Sequence, residues 1–262
     1  MAKWLYRDGL PSISTFSIVA VDVATGEIGV AVQSRFLAVG AAVPWVASDA
    51  GAIATQAFAN TSYGPHGLDL LRSAHTPEET LTLLLKDDPQ RNDRQVGIVD
   101  RAGRSATFTG EDCFSYAGGR CGPGFACQGN ILAGPQVVDA LANVFLSSTG
   151  TLAERLLAAL SAGQKAGGDK RGMQSAALYI AKPKGGYGGF NDRYIDLRVD
   201  DHIQPIEELG RLLALHRLYF ERTRPEDRLT LTGEALQMVF THLRETGYWT
   251  GILHDVYDEE AK

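Results

Sequence analysis

The chain has 262 residues, 44% hydrophobic and 21% charged, with a formal net charge of −6. That content suits one large globular domain, or a domain of about 200 residues with a small appendage. The acidic balance, with no Lys/Arg cluster beyond a pair, argues against nucleic acid or an anionic membrane as a partner and leaves small molecules or peptides. No apolar run reaches the ~18 residues of a membrane span, and Met1 to Ser14 lacks the apolar core of a signal peptide, so a cytoplasmic protein is expected.

In chain order, Trp4 to Ser14 is a lead-in without periodicity. Thr15 to Asp22 and Ile28 to Arg35 alternate side chains around a turn closed by Gly26, the pattern of a mostly buried β-hairpin. Further strands are expected over 41–47 and 51–57, then a polar loop over 58–65 and a helix over 66–73. Thr76-Pro-Glu-Glu79 is a capping box with Pro at the first helical position, and it predicts a second helix. A second hairpin follows, Gln95–Asp100 with Ser105–Thr109, and short strands are expected over 114–117 and 125–128.

Helices are predicted from Gln136 to Leu146 and after the capping sequence Thr151-Leu-Ala-Glu154. Strands resume over 174–181 and 193–199, either side of the hairpin turn Gly185-Gly-Tyr-Gly-Gly189. From Pro205 the pattern is helical in three segments, broken near Arg224-Pro225 and at Gly247. Helices arriving in pairs between blocks of hairpin-linked strands point to an α+β chain, antiparallel sheets stacked centrally with helices outside, an αββα sandwich.

Cys113, Cys121 and Cys127 are odd in number with no C-x-x-C spacing, so they are expected as buried thiols. The histidines form no metal-binding pair, and no Walker motif or G-x-S-x-G elbow is present. Neither a metal nor any other cofactor is expected. Polar, glycine-rich loops recur at Gln33-Ser34-Arg35, Asn60-Thr-Ser-Tyr63, Gln128-Gly-Asn130, Gly168-Asp169-Lys-Arg171-Gly172 and Asn191-Asp-Arg193. Loops at strand ends concentrate function because the scaffold fixes their position, although each alone is equally ordinary turn chemistry.

Six ordered stretches carry a resemblance. They are Thr15-Phe-Ser-Ile-Val-Ala20, Ser34 to Gly40, Ala54 to Asn60, Ala126 to Gly134, Gly167 to Ala177 and Asn191 to Asp201. Over about residues 14–202 the chain resembles the bacterial family called domain of unknown function 1028. The resemblance implies an N-terminal-nucleophile (Ntn) hydrolase fold, a four-layer αββα sandwich, for residues 15–202. Residues 1–14 are then a lead-in. The tail, residues 203–262, resembles a peptidoglycan-binding-like three-helix module, which a plain helical lid or an element of a homo-oligomer explains as well.

In Ntn hydrolases a Thr, Ser or Cys beginning the first strand is the nucleophile and its own α-amine, of pKa near 8, is the general base. By position Thr15 matches, and Ser34-Arg35 is similar to the Ser-Arg that ends the second strand of proteasome subunits. Thr15 is, however, preceded by fourteen residues in this chain. The resemblance thus implies an amidohydrolase acting on a small amide or peptide-like substrate, with Thr15 as nucleophile and Asn60 or Asn130 donating to an oxyanion. Ser34, Arg35, Tyr63, Asp169, Arg171, Asn191 and Arg193 would bind substrate, an arginine among them holding a carboxylate. The alternative is a non-catalytic small-ligand-binding protein on the same scaffold.

Overall fold

The computed structural model describes residues 6–7, 10–221, 228 and 230–251. The short strands β1 (Tyr6–Arg7) and β2 (Leu10–Pro11) pair with each other. The expected first hairpin is present as β3 (Thr15–Asp22) and β4 (Glu27–Ser34), with Thr15 opposite Ser34 and Val21 opposite Ile28. Gly26 turns between them at φ 73°, a conformation that costs glycine nothing. The other strands are β5 (Pro44–Ala47), β6 (Gly51–Ala57), β7 (Arg94–Asp100), β8 (Ser105–Thr109), β9 (Gly118–Gly122), β10 (Phe125–Gly129), β11 (Ser175–Ala181) and β12 (Arg193–Val199). They form a six-stranded sheet in the order β12-β11-β4-β3-β10-β9 and a four-stranded sheet in the order β5-β6-β7-β8. Both are antiparallel throughout.

Period-2 alternation gives each strand two apolar faces with different partners. Val19, Val21, Val30 and Val32 of the six-stranded sheet cluster with Val46, Ala52, Ala54 and Val99 of the other, so the sheets meet face to face. Phe16, Ile18 and Cys127 point the opposite way, into a cluster with Leu141 of α3 (Gln136–Ser147) and Leu156 and Leu160 of α4 (Leu152–Lys165). Ile53, Val96 and Ile98 likewise meet Leu68 and Leu71 of α1 (Tyr63–Arg72) and Leu81 of α2 (Pro77–Lys86). Each such side chain contributes about 1.5–3 kcal/mol on full burial. Both expected capping boxes are formed, at Thr76 with Glu79 and at Thr151 with Glu154.

Several expectations are corrected. Residues 114–117 form an irregular bend rather than a strand, and the pairing with β10 is made by β9, three glycines in five residues notwithstanding: Gly122 opposes Phe125. The first helix begins at Tyr63 rather than His66. Of the three thiols only Cys127 is buried; Cys113 is half-buried and Cys121, on the edge strand β9, is exposed.

Compactness divides the chain after Leu218. α5 (Pro205–Phe220) places Ile206, Leu209 and Leu213 in the same cluster as α3 and α4, so the larger unit extends well past residue 202. In the smaller unit α6 (Gly233–Glu245) is described, and Phe240 packs on Trp249 with ring centroids 5.2 Å apart. The expected break near Arg224-Pro225 and most of the third helical segment lie outside the described residues. No helix among the described residues is long and apolar enough to cross a membrane.

Candidate functional site

The pairing register collects small hydroxyl residues at one end of the six-stranded sheet. Thr15 opposes Ser34, and Ser34 opposes Ser175 on its other side. Because the three are in one row, their side chains share the face turned toward the second sheet. Thr15 and Ser34 are both fully buried. Thr15 Oγ1 lies 2.9 Å from the Ile13 carbonyl oxygen and 3.1 Å from Ser34 Oγ, and Ser34 Oγ–H donates to the Ser14 carbonyl oxygen at 2.6 Å.

The same Ser14 oxygen accepts a second bond, from Arg171 Nη2 at 2.8 Å. Arg171 is fixed by Asp169, whose Oδ2 takes Nη2 at 2.7 Å and whose Oδ1 takes Nε at 3.0 Å, a two-pronged ion pair with the carboxylate fully buried. The Arg35 backbone N–H adds a longer bond to Asp169 at 3.4 Å. The loop carrying Asp169 and Arg171 is held by backbone bonds to the segment after β10, Ala133 N to Gly168 O at 3.0 Å and Lys170 N to Ile131 O at 2.9 Å. Gly167, Gly168 and Gly172 all have positive φ, which explains the glycine density of Gly167 to Gly172. Arg35 itself is exposed and bonds the Met173 carbonyl at 2.8 Å.

Behind Thr15 lies a buried amide network between the sheets. The Thr15 carbonyl accepts from Asn130 N at 3.0 Å and from Gln56 Nε2 at 3.3 Å. Gln95 Oε1 accepts from Gln56 at 2.8 Å and from Asn130 Nδ2 at 2.9 Å, while Ser17 bridges Gln56 and Gln128 at 2.7 Å each. Gln56, Gln95 and Ser17 escaped the sequence reading of the site. Their signal was a polar residue at an inward position of an otherwise apolar strand. Asn130 is not in the left-handed region; its neighbour Ile131 is, at φ 52°.

Thr15, Ser34, Asp169, Arg171, Asn130 and the backbone of Arg35 are therefore brought together, and the remaining candidates are not. Asn60 and Tyr63 surround Asp88, which takes Tyr63 Oη at 2.6 Å, Arg94 Nε at 2.8 Å and Asn60 Nδ2 at 3.4 Å. They line a cavity of about 610 Å³ with His66, Asp69 and Asp87, and Thr15 is not on its walls. Burial opposes ionisation of Asp88, but the bonds from Arg94, Tyr63 and the Gln90 N–H outweigh it and hold the carboxyl well below its usual range. Burial, then the Asp88 hydrogen bond and charge, push the Tyr63 phenol up. Asn191 and Arg193 sit at the other end of the sheet, where Arg193 opposes Ala181 and Ala181 opposes Ile28, about 20 Å from the Thr15 row at six residues' remove.

The model of a family described as "Family of unknown function (DUF1028)" matches residues 15–209. Protein SPO2555 from Silicibacter pomeroyi, a crystal structure assigned to the same family, is similar at 29% identity and a TM-score of 0.71, over 92% of this chain and 97% of that one. No curated protein matches the chain.

Proposed function

We propose that this chain, which belongs to the DUF1028 family of unknown function, is an N-terminal-nucleophile amidohydrolase that frees Thr15 by cutting its own Ser14–Thr15 bond. An αββα Ntn arrangement accounts for the two facing sheets and for the helix pairs against their outer faces. The observation that carries the reading is the Ser14 carbonyl oxygen, which takes one hydroxyl and one guanidinium hydrogen bond beside the Thr15 hydroxyl. Two donors on the carbonyl of one peptide bond are what a developing oxyanion requires.

Addition of Thr15 Oγ1 to the Ser14 carbonyl carbon closes a five-membered ring and puts the negative charge on the oxygen that Ser34 and Arg171 hold. Collapse breaks the C–N bond as the Thr15 nitrogen takes the hydroxyl proton, leaving an ester. One water then hydrolyses the ester to a Ser14 carboxylate and a Thr15 with both hydroxyl and amine free. That amine, of pKa about 8, is the general base for later turnover on a small amide or peptide-like substrate.

Intact-mass measurement tests this. A fraction of purified protein should begin at Thr15, and a Thr15→Ala chain should stay whole. Loss of the same segment from the Thr15→Ala chain would assign the cut to another protease and sink the self-cleavage reading. The full burial of Ser14, Thr15 and Ser34 favours one second reading, a ligand-binding protein whose Thr15 is never released. An uncut chain that binds small amides without turnover would support it. For the tail we propose an assembly or lid role, supported by the exposed Met238 and Tyr248; a glycan-binding role is tested by pull-down on peptidoglycan.

A further inference from the structure

Residues 12–14 lie against the protein as a bound peptide would. Ile13 forms an isolated antiparallel bridge with Ala57: Ile13 N donates to Ala57 O at 2.7 Å, and Ala57 N to Ile13 O at 3.0 Å. Ala57 ends β6 at φ 68°, a strained position for a residue with a Cβ, and from it both backbone groups reach the lead-in segment. Ser12 and Ser14 are buried, their hydroxyls 3.0 Å apart, and the Ile13 side chain packs on the cluster between the sheets.

We propose that the groove filled by Ser12-Ile13-Ser14 is the acyl-side subsite of the mature enzyme, and that its substrate is an extended peptidyl amide with a small residue at the carbonyl to be cut. This rests on the Thr15 reading above. The nucleophile and the donors Ser34 and Arg171 stay where they are when the segment leaves, so the next acyl group meets the same oxygen site. The two-bond bridge to Ala57 recognises backbone in the manner of an added strand, whatever the side chains. Selection falls on the buried positions, where the two serine hydroxyls meet and a serine-sized group fits the enclosed space while a bulky one overpacks it.

The electrostatics select an uncharged carbonyl there. Arg171 is compensated by Asp169, so the pair presents hydrogen-bond donors with little net charge, and a carboxylate on the same spot would face the Asp169 carboxylate at close range. This differs from an arginine that holds a substrate carboxylate. It also gives the cut Ser14 end, once it becomes a carboxylate, a reason to depart.

The test uses the full chain after it has cut itself, with three probes: the aminomethylcoumarin amides of acetyl-Ser-Ile-Ser, of the same peptide N-methylated at Ile, and of acetyl-Ser-Ile-Trp. A Thr-directed electrophile applied to the same sample, read by mass, reports the nucleophile independently. The first peptide should be hydrolysed, the N-methyl peptide should lose about tenfold in kcat/KM for one missing hydrogen bond, and the Trp peptide at least as much. Labelled Thr15 together with equal cleavage of all three, or cleavage of none, overturns the subsite and leaves the nucleophile standing. No labelling at Thr15 overturns both.

Discussion

Asp169 grips two nitrogens of Arg171, at 2.7 and 3.0 Å, and so aims the guanidinium at the Ser14 carbonyl oxygen. Lysine keeps the charge but cannot span both carboxylate oxygens and still reach the carbonyl. Arg171→Lys should therefore slow the Ser14–Thr15 cut by about two to three orders of magnitude, the usual effect of removing one oxyanion donor. The half-time of conversion, followed by intact mass after cell-free synthesis, is the measurement. Cutting at the unmodified rate would remove Arg171 from the reaction.

Asn130 is committed elsewhere: its Nδ2 bonds Gln95, and its Oδ1 has no partner among the described residues. Gln95 keeps the Gln56 donor, and the Asn130 backbone bond to Thr15 survives any side-chain change. Asn130→Ala should cost about 1 kcal/mol of stability, one net hydrogen bond, and leave kcat within about tenfold. A fall of about a hundredfold or more with unchanged melting would instead make Asn130 an oxyanion donor.

Arg94 and Asp88 form a pair with side chains 11% and 7% exposed. Asp88→Asn should lower stability at neutral pH by about 3–5 kcal/mol, because the guanidinium is left buried without its carboxylate. The folded-state pKa of Asp88 is depressed, so its contribution is full above the unfolded value of about 3.9 and is lost as pH falls below it. Denaturant midpoints between pH 7 and pH 2 should fall less steeply for Asp88→Asn than for the parent chain. Parallel curves would show that the pair does not set the acid limb.

Removing everything after Asp201 deletes Ile206, Leu209 and Leu213 from the cluster on α3 and α4. At about 1.5–3 kcal/mol each, that is comparable with the entire stability of a domain, so such a chain should melt without cooperativity. A chain ending at Leu218 keeps all three, along with the His216 bond to Tyr194 O at 3.1 Å and the Arg217–Glu154 ion pair, and should melt sharply. Calorimetry on the two chains separates these outcomes; sharp melting of the shorter one would show that α5 is dispensable.

What was legible in the sequence was what short-range chemistry writes. The β3–β4 hairpin follows from alternation and Gly26, and the α2 and α4 starts follow from Thr76/Glu79 and Thr151/Glu154, because each signal and its consequence lie within a few residues. The candidate site was legible where polar residues sit on or just past a strand end, as at Thr15, Ser34 and Asn130, and in the glycine-rich loop that carries Asp169 and Arg171. Asn191 and Arg193 read the same way, yet strand pairing carries them to the far end of the sheet, and pairing is not encoded locally. Gln56 and Gln95 lie in strands of the facing sheet, so their meeting with Asn130 depends on tertiary packing alone.

Two apolar sheet faces attract each other with no preferred alignment, because the hydrophobic effect has no direction. The bond from Ser17 on one sheet to Gln56 on the other, and the return bond from Gln56 Nε2 to the Thr15 carbonyl, do have direction, and a methyl on Gly97 would fall 2.0 Å from Gln128 Oε1. Glycine at that spot lets the amide seat like a dowel in a drilled hole. Slippage of one sheet by a single pleat would strand several buried amides at once, at about 1–3 kcal/mol each. The sheets are thereby keyed to one another, and Thr15 stays in register with Gln56 and Ala57 of the facing sheet.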